Sequence, residues 1–459
     1  MLSPARVAAF EVLLKIETES AYSSELLHSD RVALLSPADR GLCMEIVMGV
    51  LRWRSRLDAD IARFSFTPFR KLDLEVLTAL RMGAYQLQFL ERVPARAAIN
   101  ESVELVKHSR KASAAGLANA VLRKIPKTST ADRAALHAVA PPSSAAGPDR
   151  SSEELAREFA HPVGLVERWW RQYGGAVAVD ICRFNQQVPV TALRLSDPSL
   201  EDKLRSAGAE LAPGAIVSAA RRVLRGDPTH TRAYSSMRVT VQDEASQLVA
   251  ALVGRGRRIL DCCAAPGGKT AAIADRNPEA DIIAADLHAH RARLMRRLVR
   301  AANVRIIAAD ARALPVSGAF DRILVDAPCS GTGTLARNPE IKWRLKPADL
   351  AGLHARQVGI LRGALQHLAP GGRLVYATCS LEPEENEAVI DEVLGSVAPP
   401  SSAAGPARIV DIREILGELH ANGELAWPDL ESLTRGPCLR TVPGVHPCDG
   451  FFAAVLEKH

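Results

Sequence analysis

Five β-rich runs in the second half of the chain, separated mostly by helical stretches, constrain the fold more than any other feature. Alternating strands and helices predict a doubly wound α/β domain, because consecutive parallel strands are joined by helical crossovers. In such a sheet, ligands bind beyond the carboxyl ends of the strands. Each run ends at an Asp or a Cys, and five such ends in succession favour a functional site over simple turns. The runs are RRILD (257–261), DIIAAD (281–286), VRIIAAD (304–310), FDRILVD (320–326) and GGRLVYATCS (371–380).

The turn that begins at Asp261, DCCAAPGGKT, predicts a site for an adenosine-like cofactor. Gly267 and Gly268 allow a tight turn and a close approach to a ligand, and the following helix presents free N–H groups. The turn matches neither GxGxxG nor GxxxxGK[ST], which disfavours a dinucleotide or a nucleoside triphosphate. Asp286 follows Asp261 by 25 residues, near the offset at which an acidic residue binds ribose hydroxyls, and Asp310 is placed to meet an adenine edge. S-adenosyl-L-methionine is the candidate that this pocket favours.

Two cysteines follow adjacent predicted strands, Cys329 in DAPCSGTG and Cys379 in ATCS. A single cysteine there is more often an inert core residue, but two at neighbouring strand ends beside a methyl donor indicate C5 methylation of a pyrimidine. C5 of cytosine becomes nucleophilic only after a thiolate adds to C6, and a second group must then assist release. Asp326 is placed to hydrogen-bond the base at N3 or N4 and stabilise the adduct.

The remainder of the chain adds a helical region and two low-complexity segments. Helical periodicity dominates residues 1–125, and residues 1–130 carry 19 Lys and Arg against 14 Asp and Glu, a bias compatible with a polyanionic partner. The Pro/Ser/Ala/Gly run VAPPSSAAGP occurs at 139–148 and again at 397–406, and such composition predicts flexible surface connectors.

Cysteine content and hydropathy exclude several classes of protein. Eight cysteines without a CxxC pair predict free thiols, with no disulfide framework and no structural zinc or other metal site. Neither a signal peptide nor an apolar run of about 18 residues is present, so we expect a cytoplasmic protein that does not bind membranes.

The motifs DCCAAPGGKT, DAPCSGTGTLARNPEIKW, ATCSLEPEENE and DGFFAAVLEK, with VQDEASQLVA before them, resemble the NOL1/NOP2/Sun family of RNA cytosine-C5 methyltransferases. With a NusB-type N-terminal bundle, the chain is similar to the Sun/RsmB branch, which acts on 16S rRNA. The resemblance implies that Cys379 is the nucleophile and that Cys329 assists release. The cofactor-binding residues that it implies are Cys263, Ala264, Ala265, Pro266, Gly267, Gly268, Lys269, Asp286, Asp310 and Asp326.

From these observations we predict a multidomain enzyme with an all-α bundle, a small α/β (RRM-like) domain and a Rossmann-like methyltransferase domain. The expected partner is 16S rRNA or a small-subunit assembly intermediate, and we expect the chain to act as a monomer. The predicted ranges are 1–126 for the NusB-like RNA-binding domain, 127–152 for a flexible linker, 153–238 for the small RNA-binding domain and 239–459 for the catalytic domain.

Three alternatives remain open from the sequence. The catalytic motifs alone fit a tRNA cytosine-C5 methyltransferase equally well. A non-catalytic RNA-binding assembly factor would have no need of the cysteine pair or the cofactor turn. Methylation of a base nitrogen or protein amide would favour an Asn-Pro-Pro-type turn, which the chain lacks.

Two groups of basic residues are each compatible with RNA contact or with a role within the protein fold. The loop after Cys329 contains Arg337, Lys342, Trp343 and Arg344, which suit phosphate contact and base stacking, although Trp343 is equally compatible with anchoring the loop on the core. In the central region, an RNA contact and a solvated surface are equally compatible with Arg183, Arg194, Arg205, Arg221 and Arg222.

Overall fold

The computed structural model describes residues 2–19, 21–127, 151–395 and 407–458. Both copies of VAPPSSAAGP and nearly all of the predicted linker lie outside these ranges. The chain forms two compact units, of which the first contains residues 1–188 and 335–344 and the second contains residues 189–334 and 345–459.

The first unit is helical. Its longest helix is capped by the Ser36 hydroxyl, which accepts the Asp39 amide at 3.2 Å, and has proline at its first position. The stacked rings of Trp53 and Phe89, with centroids 5.0 Å apart, lie in its core. The helices are α1 (Pro4–Thr18), α2 (Ser23–Leu27), α3 (Asp30–Ala33), α4 (Pro37–Phe64), α5 (Leu74–Phe89), α6 (Ala95–His108), α7 (Ala115–Lys124), α8 (Ser152–Glu158), α9 (Val163–Tyr173) and α10 (Gly175–Asn185).

Helices α8–α10 were expected in the small central domain, which we predicted from residue 153, but they lie in the helical unit. A hydrogen bond of 3.0 Å from Gln186 Nε2 to the Arg52 carbonyl joins the end of α10 to α4. A short helix, α16 (Ile341–Arg344), from the second half of the chain also belongs to this unit.

The second unit begins with a four-stranded antiparallel sheet in the order β2-β3-β1-β4. Leu193, Leu204, Leu211 and Val239 form its small core. Its elements are β1 (Thr191–Leu195), α11 (Leu200–Ser206), β2 (Glu210–Pro213), β3 (Arg221–Arg225), α12 (Arg232–Ser235) and β4 (Val239–Val241).

A nine-stranded mixed sheet forms the rest of the second unit, in the order β11-β12-β13-β9-β8-β5-β6-β7, with β10 paired to β13. The strands are β5 (Arg258–Asp261), β6 (Asp281–Asp286), β7 (Val304–Ala308), β8 (Phe320–Asp326), β9 (Leu368–Thr378), β10 (Ala407–Val410), β11 (Thr434–Arg435), β12 (Cys438–Thr441) and β13 (Phe451–Lys458). The helices are α13 (Glu244–Leu252), α14 (Gly268–Arg276), α15 (Ala289–Leu298), α17 (Pro347–Gln366), α18 (Glu387–Gly395) and α19 (Ile412–Ala421).

Strands β5 to β9 pair in parallel, which confirms the five predicted strands and the doubly wound α/β fold. The chain runs from β5 through β6 to β7, then returns to add β8 on the other side of β5. This reversal brings the ends of β5 and β8 together, where a ligand site is expected in such a sheet. Among the described residues, no helix is long and apolar enough to span a membrane.

Candidate active site

The turn after β5 is built around a buried carboxylate and a left-handed glycine. Asp261 Oδ2 accepts the Thr270 hydroxyl at 2.7 Å, while Asp261 Oδ1 has no hydrogen-bond partner among the described residues. Burial raises the pKa of Asp261 to about 7. Gly267 has φ +108°, and a Cβ there would lie 2.5 Å from Val299 Cγ2. The turn therefore requires glycine at this position.

The rest of the predicted cofactor turn is held close to the sheet. The Ala264 amide donates to the Ala285 carbonyl of β6 at 2.9 Å, and Ala264 is buried. Ala265 is half-buried and Pro266 is exposed, and Gly268 begins α14. Because α14 begins directly after this turn, the first backbone amides of the helix, which lack partners within the helix, lie next to the turn.

Four carboxylates, one from the end of each of four successive strands, raise the pKa of the Cys263 thiol. Burial is the largest cause of its raised thiol pKa, and the charges of Asp261, Asp326, Asp286 and Asp310 raise it further. The structure therefore brings together the acidic residues that the sequence placed at one edge of the sheet.

Asp286 and Asp310 differ in their surroundings. Asp286 is buried at the end of β6 and accepts the His288 amide at 2.9 Å. Asp310, which follows β7, accepts the guanidinium of Arg312 at 2.6 Å and the Arg312 amide at 2.9 Å. These hydrogen bonds lower the pKa of Asp310. Of the two carboxylates, Asp286 is the buried one, whereas Asp310 is hydrogen-bonded to Arg312.

Lys269 and Asp326 form an ion pair across the edge of the sheet. Lys269 Nζ lies 2.7 Å from Asp326 Oδ2 and 4.9 Å from the centre of the Phe451 ring. Burial alone would lower the pKa of Lys269, but Asp326 outweighs it, and with a further contribution from the charge of Cys379 the pKa is raised. Lys269 therefore acts as a cation toward both Asp326 and Cys379.

The two predicted catalytic cysteines are brought into contact. Cys329 Sγ and Cys379 Sγ are 3.3 Å apart, although the residues are 50 positions apart in the chain. The hydrogen bond to Cys379 is the largest cause of the raised pKa of Cys329, followed by burial and the charges of Cys379 and Glu385. Cys329 therefore holds its proton more tightly than an ordinary thiol does.

The composition of the basic loop after Cys329 suggested contact with RNA, but its side chains make hydrogen bonds within the protein. Lys342 is 2% exposed and donates at 2.8 Å to the carbonyls of Arg52 and Ala160. Trp343 Nε1 donates to the Leu51 carbonyl at 2.6 Å, which is the anchoring alternative.

Arg344 donates to the Ile16 carbonyl at 2.6 Å and to the Ala21 carbonyl at 2.5 Å, and Arg337 is half-buried. Backbone carbonyls of the helical unit therefore accept the polar hydrogens of Lys342, Trp343 and Arg344.

Most central arginines are engaged within the protein. Arg222 donates to the Pro213 carbonyl at 3.0 Å. The other four contact carboxylates, and the pairs are Arg183–Asp180, Arg194–Asp275, Arg205–Glu201 and Arg221–Glu201. The solvated-surface interpretation also fails for Arg194, which is 8% exposed.

The sequence did not identify Lys269 as the partner of Asp326, because the two lie 57 positions apart. Only the order of strands in the sheet brings them together. The described residues contain no cluster of three His, Cys, Asp or Glu side chains that could hold a metal ion.

Comparison with known proteins assigns both ends of the chain. The family "16S rRNA methyltransferase RsmB/F" matches residues 253–457, and the NusB family matches residues 3–127. The chain is 35% identical to a probable ribosomal RNA small subunit methyltransferase B of Bacillus subtilis, over 84% of this chain and 87% of that one.

Two further comparisons extend over the full length. Ribosomal RNA small subunit methyltransferase B of Pseudomonas syringae pv. tomato is 34% identical, over 99% of this chain and 96% of the relative. The crystal structure of PH0851 superposes with a TM-score of 0.77 at 22% identity, covering 100% of this chain and 99% of that one, and supports the fold alone.

Proposed function

Because the chain belongs to the RsmB/F family of 16S rRNA methyltransferases, we propose that it methylates C5 of a cytosine in 16S rRNA through a covalent adduct between Cys379 and C6. The observation that carries this proposal is the pair of thiols 3.3 Å apart beside the Lys269–Asp326 ion pair. C5 methylation needs one group to attack C6 and another to complete release, whereas methylation of a ring nitrogen needs neither thiol.

S-adenosyl-L-methionine is the methyl donor and supplies an electrophilic methyl group when bound. The residues at the β5 and β6 ends fit this ligand, because Asp261 Oδ1 is buried without a partner and four carboxylates surround a turn that would face a cationic sulfonium. Asp286 would accept the ribose hydroxyls, and the Gly267 turn would let the backbone approach the ligand.

Cys379 begins the reaction in this scheme. The two sulfurs share a hydrogen bond in which a Cys379 thiolate would be the acceptor, and Lys269 adds a positive charge nearby that would stabilise this thiolate. The thiolate forms a bond to C6, and the electron pair of the C5=C6 bond becomes available at C5 for the methyl group. A cytosine within a helix must be flipped out of its stack to reach this sulfur.

Asp326 and Cys329 serve the later steps. The Asp326 carboxylate, held by Lys269, accepts a hydrogen bond from the base amino group and stabilises the adduct. Once the Cys379 sulfur is bonded to C6 it is an uncharged thioether, so the charge of Cys379 no longer raises the pKa of Cys329. Cys329 then gives its proton to solvent, and its thiolate takes the C5 proton. The C5–H electron pair restores the C5=C6 bond while the S–C6 bond breaks and Cys379 leaves as a thiolate.

The proposal is tested by incubating the purified protein with 16S rRNA and methyl-labelled S-adenosyl-L-methionine, then analysing the nucleosides by mass spectrometry. We expect label in 5-methylcytidine with the natural protein and none with Cys379→Ala. Label in N4-methylcytidine, or methylation confined to tRNA, would contradict the proposal. Bisulfite sequencing of RNA from a deletion strain should show one cytosine in 16S rRNA that has lost its methyl group.

A further inference from the structure

A buried carboxylate, Glu385, links the two cysteine turns. It lies in the short turn Pro383–Glu385 after β9 and is 0% exposed. Its Oε1 accepts the Ser330 amide at 2.8 Å, and its Oε2 accepts the Ser330 hydroxyl and, at 2.5 Å, the Ser380 hydroxyl. Ser330 follows Cys329 in the chain and Ser380 follows Cys379, so a single side chain holds the residue next to each thiol.

Gln357 of α17 completes the arrangement from the other side of Cys329. Its Nε2 donates at 3.0 Å to Glu385 Oε1 and at 3.0 Å to the carbonyl of Pro328. The backbone is therefore fixed on both sides of Cys329, by Gln357 at the preceding residue and by Glu385 at the following one. With this contact, the Glu385 carboxylate accepts four hydrogen bonds, which fill its acceptor sites.

Further hydrogen bonds align the two turns with each other. The Ser330 and Ser380 hydroxyl oxygens are 3.1 Å apart, and the Gly333 amide donates to the Cys379 carbonyl at 2.9 Å. The Tyr376 hydroxyl donates to the Glu385 carbonyl at 2.7 Å, which fixes the turn that carries the carboxylate to β9. Through its hydrogen bonds to Ser330 and Ser380, the Glu385 side chain contributes to the alignment of both turns.

We propose that Glu385 is a positioning residue that sets the relative placement of Cys329 and Cys379, so that attack and release can proceed at one base. The inference rests on the proposed function for its catalytic consequence, but the placement of the thiols can be measured without RNA or methyl donor. Glu385 acts through the two cysteine turns and is not assigned contact with the substrate.

The first measurement uses diamide, which takes two electrons and two protons from two thiols to give one disulfide and its hydrazine. The initial rate at which Cys329 and Cys379 become linked, followed by peptide mapping under non-reducing conditions, reports their juxtaposition. We expect Glu385→Ala to slow this rate about 10-fold or more. Glu384→Gln, which removes a neighbouring carboxylate charge in the same turn, should retain the natural rate.

The second measurement is steady-state methylation of 16S rRNA by the same full-length variants. Displacement of reacting groups by about 1 Å can cost about 100-fold in rate. We expect Glu385→Ala to lower kcat by about 10-fold to 100-fold while KM for RNA stays within about 2-fold. If Glu385→Ala does not fold, Ser380→Ala removes one donor with a smaller change and should give the same pattern with an effect of about 3-fold.

Three outcomes separate the possibilities. Parallel losses in disulfide rate and kcat support the positioning role. A lower melting temperature with an unchanged disulfide rate and kcat of the folded protein indicates a merely structural role and overturns the inference. If the disulfide rate falls as expected but the natural protein forms no 5-methylcytidine, the positioning holds while the proposed function fails.

Discussion

The turns that follow β8 and β9 carry one cysteine each, yet they give the two thiols opposite surroundings. The pKa of Cys329 is raised by its hydrogen bond with Cys379, by burial and by the charges of Cys379 and Glu385. Cys379 interacts with the Lys269 cation. Two chemically identical groups 3.3 Å apart thus have different electrostatic surroundings, which is the basis for proposing different roles for them.

The largest expected difference between the two turns is in methyl transfer. Cys379→Ala should reduce methylation of 16S rRNA by at least about 10³-fold, because loss of a nucleophile removes the covalent step. Cys329→Ala should still transfer up to one methyl group per protein molecule. Single-turnover assays with labelled methyl donor measure both, and equal loss in the two variants would remove the distinction between the turns.

Lys269→Met tests the cation on the Cys379 side. Loss of one electrostatic contact at a reacting group typically costs about 10²-fold to 10³-fold in rate, and we expect kcat to fall by about 10²-fold. The exposed Lys203 offers a matched control, and Lys203→Met should leave kcat unchanged. If Lys269→Met weakened only the affinity for S-adenosyl-L-methionine, Lys269 would act in cofactor binding alone, as the family resemblance implies, and not on Cys379.

Asp286→Ala tests whether the cofactor side is separate from the cysteine pair. Loss of its hydrogen bonds to ribose should weaken S-adenosyl-L-methionine binding by about 10-fold to 150-fold, as measured by calorimetric titration. Glu279→Ala removes an exposed carboxylate before the same strand and serves as the control. The rate at which Cys329 and Cys379 form a disulfide should not change. Unaltered affinity of folded Asp286→Ala for S-adenosyl-L-methionine would refute the assignment of Asp286 to the cofactor site.

Alkylation offers the smallest but most direct contrast between the thiols. Because the pKa of Cys329 is raised, Cys329 stays protonated to higher pH and reacts with iodoacetamide only as the pH increases. At pH 7.5, we expect Cys329 to be modified about 10-fold more slowly than Cys379, and we expect the rate for Cys329 to rise as the pH is raised. Peptide mapping over a pH series measures both rates, and faster modification of Cys329 at neutral pH would reverse the comparison.

Local sequence patterns predicted the strands of the central sheet and the residues at their ends. The apolar runs predicted the five parallel strands. The positions of the cysteines and Asp residues at the ends of those runs predicted that they lie at one edge of the sheet. Lys269–Asp326 and Glu385–Ser330 were not predictable, because their partners lie 57 and 55 positions apart and meet only in the folded sheet.

Other features misled for identifiable reasons. Lys342 and Arg344 were predicted to suit phosphate contact, but carbonyl groups of the helical unit accept their hydrogens. The last strand, β13, was not among the predicted strands, and its nearly continuous buried run lacks the alternation that distinguishes a strand from a helix.

The most direct test of the central claim is to trap the enzyme–RNA adduct with each cysteine variant. Each protein is incubated with 16S rRNA and S-adenosyl-L-methionine and run on a denaturing gel, with Cys329→Ala/Cys379→Ala as the control. We predict that Cys329→Ala accumulates a slowly migrating covalent complex, because attack and methylation proceed but release fails. Cys379→Ala and the double variant should form none. An adduct that accumulates with Cys379→Ala and disappears with Cys329→Ala would show that the two roles are reversed.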